Sequence, residues 1–288
     1  MKKFRKKTKK IGILFLVLAI VFFFSISPWK EEKNTNLEVS FIDSDQADAI
    51  LIQTPQEKNI IIDFGSTKGL KELDKKIKWW NKKIDLIIIT HPHDDHIAGM
   101  ISLIKKYKIE KIMYTGIIHS SPIYSELLET IKNKKIPLMI PAGQQTINLE
   151  ENCQIAIIFP WDNFYNKEIE NLNNSSIVSQ LNCKNSKFLF MGDAENEVEN
   201  EILEKEIAIK SDVLKVGHHG SITSTGQEFL ERVSPEIAIV MVGKNNKFNH
   251  PSLRTLKKLE KLDIKTFRTD LDGTIDIISD GEKIWIEN

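Results

Sequence analysis

Residues 84–90 (IDLIIIT) form an almost unbroken apolar run of strand length, and HPHDDH follows at once. A strand with one wet face alternates polar and apolar residues, so a continuous run needs cover on both faces. The run therefore belongs to the middle of a covered sheet, with a dense polar cluster at its end. The same design recurs in KFLFMGD (187–193), DVLKVG (212–217) and EIAIVMVG (236–243). Shorter strand-like runs open the two halves: LEVSFID (37–43), AILIQT (49–54) and NIIIDFG (59–65), then CQIAIIF (153–159) and SSIVSQL (175–181). Between them lie segments of helical spacing at 68–80, 97–108, 121–135, 194–206 and 251–262. Strand-rich openings followed by α/β units, twice over, predict an α/β protein: two mixed sheets packed face to face, helices outside. No Pro/Gly-rich linker interrupts residues 37–288, which read as one domain without short repeats.

The first 36 residues are different material. Residues 1–10 carry seven basic side chains and no acid, and 11–29 form an apolar stretch near the ~20 residues that span a bilayer. Basic residues stay on the cytoplasmic side, so 11–29 is expected to be a membrane anchor with the domain outside. A cleaved signal peptide is the alternative, and it would place Pro28 directly after the Ser25-x-Ser27 site. Residues 30–36 read as a polar linker. Beyond the basic segment, 33 basic residues stand against 40 acidic ones, a net of −7. That balance excludes a generic polyanion binder, so any phosphate recognition has to be local. Cys153 and Cys183 are either a pair in an oxidising compartment or two separate buried thiols.

Chemistry is concentrated in the histidines, six of whose seven lie at strand ends. His91 and His93, two positions apart in extended chain, point to one side and can clasp one ion. Asp95 and His96 follow where a helix begins and can reach a second. Asp193 ends one strand, His218 and His219 follow another between glycines, and His250 precedes a proline that starts a helix. Mixed nitrogen and carboxylate ligands suit zinc, manganese or iron rather than calcium. Asp63, in IIDFGS, is expected to orient a ligand histidine from behind.

These motifs resemble the metallo-β-lactamase superfamily, whose HxHxDH signature HPHDDH fits. More narrowly, FIDSDQADAILIQTP, IIDFGS, THPHDDHIAGM, NNSSIVSQL, FMGDAE, DVLKVGHHGS and NHPS together resemble the metallo-hydrolase domain of ComEC-type competence DNA-uptake proteins. The resemblance covers essentially all of 37–288 and implies the metallo-β-lactamase fold, an αββα sandwich. It also implies two divalent transition-metal ions, zinc or manganese. His91, His93 and His219 would hold one, and Asp95, His96 and His250 the other, with Asp193 bridging; the resemblance leaves open an exchange of roles between His218 and His219. Two departures stand out: Asp45 and Ala47 replace glycines that the family usually has in its first motif. The family's large multi-helix channel is also absent from this chain.

The implied function is a membrane-anchored, extracytoplasmic hydrolase acting on a phosphodiester, with DNA among the candidate partners. Asp95 and His218 are the expected catalytic residues, Asp95 orienting the attacking water and His218 meeting the phosphate or moving a proton. Lys215, Lys244 and Lys247 would neutralise the phosphate, and Asn173, Asn174 and Ser176 would hydrogen-bond its oxygens. Rival readings are another substrate, a teichoic-acid phosphocholine ester or a β-lactam, and a non-catalytic binding subunit of an uptake or envelope assembly.

Overall fold

The computed structural model describes residues 35–287. The basic segment 1–10, the apolar stretch 11–29 and residues 30–34 of the linker lie outside the described residues. Among the described residues no helix is long and apolar enough to cross a membrane.

The first half runs β1 (Leu37–Phe41), β2 (Ala49–Gln53), β3 (Asn59–Phe64), α1 (Leu70–Lys76), β4 (Lys83–Ile84), β5 (Leu86–Ile88) and α2 (Asp94–Ile97). It continues with α3 (Met100–Lys106), β6 (Lys108–Ile109), β7 (Ile112–Met113), α4 (Pro122–Lys134) and β8 (Leu138–Met139). The second half has β9 (Gln145–Glu150), β10 (Cys153–Phe159), β11 (Val178–Cys183), β12 (Ser186–Phe190), α5 (Asn196–Glu204), β13 (Val213–Lys215) and α6 (Gln227–Val233). It ends with β14 (Ile237–Val240), α7 (Leu253–Lys261), β15 (Lys265–Arg268), α8 (Thr269–Asp272), β16 (Ile275–Ser279) and β17 (Ile284–Glu287). One sheet has the order β17-β16-β1-β2-β3-β5-β7-β8 and the other β15-β14-β13-β12-β11-β10-β9. Both are mixed: β3, β5, β7 and β8 run parallel in the first, β12 to β15 in the second.

Three apolar layers follow from side-chain alternation. Ile60, Ile62, Leu86 and Ile88 meet Ile155, Leu181, Phe188 and Ile239 between the sheets. Their neighbours Ile61 and Ile87 turn outward onto Leu73, Leu103 and Leu127 of α1, α3 and α4. Leu189, Leu214 and Ala238 do the same against Val198, Leu230 and Leu259 of α5, α6 and α7. The arrangement is the αββα sandwich, and the unbroken apolar runs are explained by burial on both faces. Cys153 and Cys183 stand directly opposite on β10 and β11 and are joined as a disulfide.

Three expectations needed revision. The helix expected over 68–80 is a short 3-10 turn and then α1, which stops at Lys76 because Ile77 turns extended (φ −82°, ψ 119°). The strand expected from Ser175 starts at Val178, after a 3-10 turn (Leu172–Ser175) capped by the Asn171 side chain. Strands β8, β9 and β15 did not stand out in the sequence at all.

Phe188 and Phe190 stack between the sheets, their ring centroids 6.4 Å apart. Phe188→Ala is expected to cost about 3–5 kcal/mol, read as a lower denaturant midpoint with unchanged slope.

Candidate metal centre

All the candidate ligands lie at one edge of the sandwich, at the C-terminal ends of β3, β5, β12, β13 and β14 and in the loops beyond them, where sites in α/β proteins collect. Close backbone approach makes this possible. A Cβ on Gly65, just after β3, would sit 1.6 Å from the Asp95 carbonyl oxygen, so only glycine lets the IIDFGS turn pass under α2.

Asp63 is buried behind the cluster. Its carboxylate accepts from the Thr90 amide (2.8 Å) and hydroxyl (2.6 Å), and it holds His96 Nδ1 at 2.8 Å. That contact turns His96 Nε2 forward, 3.3 Å from Asp193 Oδ2. His219 donates from Nδ1 to the Met241 carbonyl (2.8 Å), leaving Nε2 3.4 Å from Asp193 and 3.5 Å from Asp95. His91 Nε2 and His93 Nδ1 face each other at 3.0 Å. His250 closes the side, with Nδ1 buried and unpartnered. Among the described residues four groups come within reach of a single ion: His91, His96 and Asp193; Asp95, His96 and His219; Asp48, Asp193 and His219; and Asp48, Asp63 and His96. His219 Nε2 lies beside Asp95 and Asp193, a direction that its bond to Met241 fixes.

Buried His96 Nε2, His219 Nε2 and Asp193 Oδ1 have no hydrogen-bond partner. Unsatisfied buried groups are costly, and the two imidazole nitrogens, both facing Asp193 Oδ2, fit a bound cation. The electrostatics agree. Burial works against charge on His96, yet Asp193 and Asp63 hold its pKa well above the ordinary value. Burial likewise opposes His219, but Asp193 and Asp48 raise it to about 10. In both, a proton supplies the positive charge that the carboxylates demand. Burial, then the charge of His96, pushes His91 well below its usual value, and burial with His218 and His219 lowers His250 to about 4, so both keep a free lone pair.

Asp48, just before β2, escaped notice in the sequence although, like Asp63 and Asp193, it abuts an apolar run. It is buried, with Oδ2 2.5 Å from Lys215 Nζ and Oδ1 3.5 Å from His219 Nδ1. Lys215 is correspondingly not a phosphate contact. It is buried, donates to the Gly192 carbonyl at 2.9 Å and approaches Asp193 at 3.7 Å. On a strand covered on both faces a lysine has to find an internal partner.

A cavity of about 500 Å³ opens over the cluster, lined among others by Gln46, His93, Asp95, His119, Asn173, His218, Phe248 and His250. Its size is that of a small-ligand site. Of the groups expected at substrate oxygens, only Asn173 reaches it. Asn174 instead holds the Glu195 amide and Glu197, at the start of α5. Ser176 is buried under His91 and accepts from the Asp193 amide at 3.0 Å. Lys244 and Lys247 are exposed on the loop before His250, Lys247 lying 5.3 Å over the Phe248 ring. His218 turns away from the ligand cluster: Nδ1 is 3.0 Å from Glu195 Oε1 and 3.2 Å from Thr223 Oγ1. Glu195 is fixed in turn by Asn173 (2.9 Å) and Asn171 (3.1 Å). Both His218 (φ 45°) and His219 (φ 51°) are in the left-handed region, a conformation costly for side chains of this size and concentrated at functional sites. Asp45 adopts φ 62°, so the turn that the family makes with glycine survives; aspartate tolerates that conformation better than most residues. Gln46 beside it bonds the Gly243 amide and faces the cavity.

Two outcomes follow. Lys215→Ala strands Asp48 and is expected to lower stability by about 3–5 kcal/mol, measured by chemical unfolding. In metal-stripped protein, the His219 pKa is raised from 6.5 to about 10. The stability it contributes is therefore complete below pH ~6.5 and lost as pH rises towards 10. Melting temperatures of the stripped protein should fall across that window.

Comparison with known proteins agrees with this geometry. The sequence model of the metallo-beta-lactamase superfamily matches residues 42–244. ComE operon protein 3 of Bacillus subtilis is 29% identical over 256 residues, 83% of this chain and 32% of that protein. Competence protein ComA of Neisseria gonorrhoeae is 24% identical over 262 residues, 90% of this chain and 34% of that one. The chain thus spans about a third of the length of these curated relatives. Among solved structures, the metallo hydrolase Igni18 of Ignicoccus hospitalis superposes with a TM-score of 0.54 at 16% identity, covering 84% of this chain and 98% of its own. Fold, ligand cluster and sequence match together, and the chain belongs to the metallo-beta-lactamase superfamily as a metal-dependent hydrolase.

Proposed function

We propose that the chain is a phosphodiesterase with two divalent transition-metal ions, zinc or manganese, acting outside the membrane to which residues 11–29 anchor it. One observation carries the reading: a histidine that is not aimed at the ligand cluster, His218, stands on the cavity wall beside one that is, His219. Hydrolysis of a phosphodiester needs ligands for the ions and also a separate group to move a proton or hold a non-bridging oxygen. Relatives named for competence favour a nucleic-acid phosphodiester over a β-lactam.

His91, His93, Asp95, His96, Asp193, His219 and His250 would hold the ions. When bound, the ions supply Lewis acidity and lower the pKa of water. Asp95, half-exposed at the cavity, accepts a hydrogen bond from the attacking water and fixes its direction. His218, held with Nδ1 3.0 Å from the Glu195 carboxylate, would serve the substrate through Nε2. Asn173 lies within reach of a phosphate oxygen through Nδ2, which it shares with Glu195 and the His218 ring (3.4 Å).

The test is hydrolysis of bis(p-nitrophenyl) phosphate and of single- and double-stranded DNA with manganese or zinc, with metal analysis of each variant. His218→Ala should keep its metal and lose about 10²-fold or more in turnover. His219→Ala should lose metal and activity together. A metal-loaded wild type that cleaves no phosphodiester overturns the reading.

A further inference from the structure

The edge of the sandwich opposite the metal centre has an unusual surface. Strands β1, β3, β5, β7 and β8 all begin there, because β1 and β3 both run antiparallel to β2 and β3, β5, β7 and β8 are parallel. The first-sheet connections on that edge are residues 55–58, 77–85, 105–111, 132–137 and 280–283, which hold twelve lysines and five acids. Lys82, Lys108, Lys132, Lys134 and Lys135 are exposed. This concentration lies on a domain whose net charge is −7. At its centre, in the turn after α1, Trp79 and Trp80 are 77% and 54% exposed, with their rings edge to face at 5.5 Å. Leu138, at the start of β8, is also exposed. Two adjacent exposed tryptophans are expensive to leave in water.

We propose that this edge docks on an anionic lipid surface, with Trp79 and Trp80 seated at the headgroup level. Tryptophan prefers that level because its ring is amphipathic, and each lysine near an anionic surface adds about 1 kcal/mol. The inference rests on the reading of 11–29 as an anchor. The chain enters the domain at Leu37, on this same edge, after a linker of residues 30–36 that reaches at most about 25 Å at ~3.5 Å per residue. Contact is confined to the β3–β8 side of the first sheet, because the second-sheet half of the edge carries Asp212 and Glu236 around a cleft that Glu282 of the β16–β17 turn also lines. Docked this way, the cavity faces away from the bilayer.

Full-length protein in vesicles of phosphatidylcholine and phosphatidylglycerol with brominated acyl chains tests the proposal through tryptophan fluorescence. The W79F/W80F variant changes only exposed side chains, so it retains the fold, and Trp29, Trp161 and Trp285, present in both proteins, set the background. Wild type should be quenched more than W79F/W80F. The difference should shrink severalfold in vesicles without phosphatidylglycerol. Flotation of the same samples reports the anchor separately. Protein that floats with equal quenching in both forms overturns the docking edge while leaving the anchor standing. Protein that fails to float overturns both. A blue shift of Trp79 and Trp80 without bromine quenching assigns the edge to a protein surface, such as a second copy, and also overturns the proposal.

Discussion

Four carboxylates gathered at one edge, three of them deeply buried, are the constraint to which the rest of the molecule answers. Asp48, Asp63 and Asp193 are buried and Asp95 borders the cavity. Charges taken from water destabilise a fold unless they are paired and hydrogen-bonded. Here the pairing comes from Lys215 on β13, from His96 on α2 and from His219 in the turn after β13. Each partner lies on a different element, so the carboxylates tie both sheets to one electrostatic balance. A metal ion at this edge would take the place of the protons on His96 and His219, and its binding would then be coupled to folding.

The Asp48–Lys215 pair divides the site into layers. In front, imidazoles and Asp193 converge with unpartnered atoms. Behind, a fixed cation holds Asp48 and leans towards Asp193 without reaching the cavity. Lys215 thereby sets how much negative charge the front layer presents, and it is a constant contribution because its ammonium is held charged, burial notwithstanding, by Asp48 and Asp193.

Much of this was legible in the sequence. Covered parallel strands have no polar face, so IDLIIIT, KFLFM and IAIVM announced themselves, and the residues that end them had to lie on one edge. Strands β9 and β15 hid because QTINLE and KTFR are polar or half-exposed, and their extended form comes from pairing with β10 and β14. Helix α1 misled in the opposite sense. The spacing of Leu70, Leu73, Ile77 and Trp80 is helical, but only Leu70, Leu73 and Ile77 have a surface to pack on, and the chain turns before the tryptophans. Lys215 was misread as a substrate contact although its apolar neighbours, Val213, Leu214 and Val216, already placed it inside. Asp48 lacked any histidine motif to draw attention to it, and its role emerges only from the elements that surround it in space.

The pairing of β16 with β1, Leu37 opposite Ser279, joins the two ends of the domain. While the chain is being made, β1 has one flank covered by β2 and the other bare, and it stays bare until β16 has emerged. An uncovered strand flank is a template for other chains. The N-terminal half therefore cannot mature as an independent unit, and the final hairpin, remote from all the chemistry, is the step that closes the first sheet. Disruption of β16 would then act as a defect of assembly rather than of catalysis.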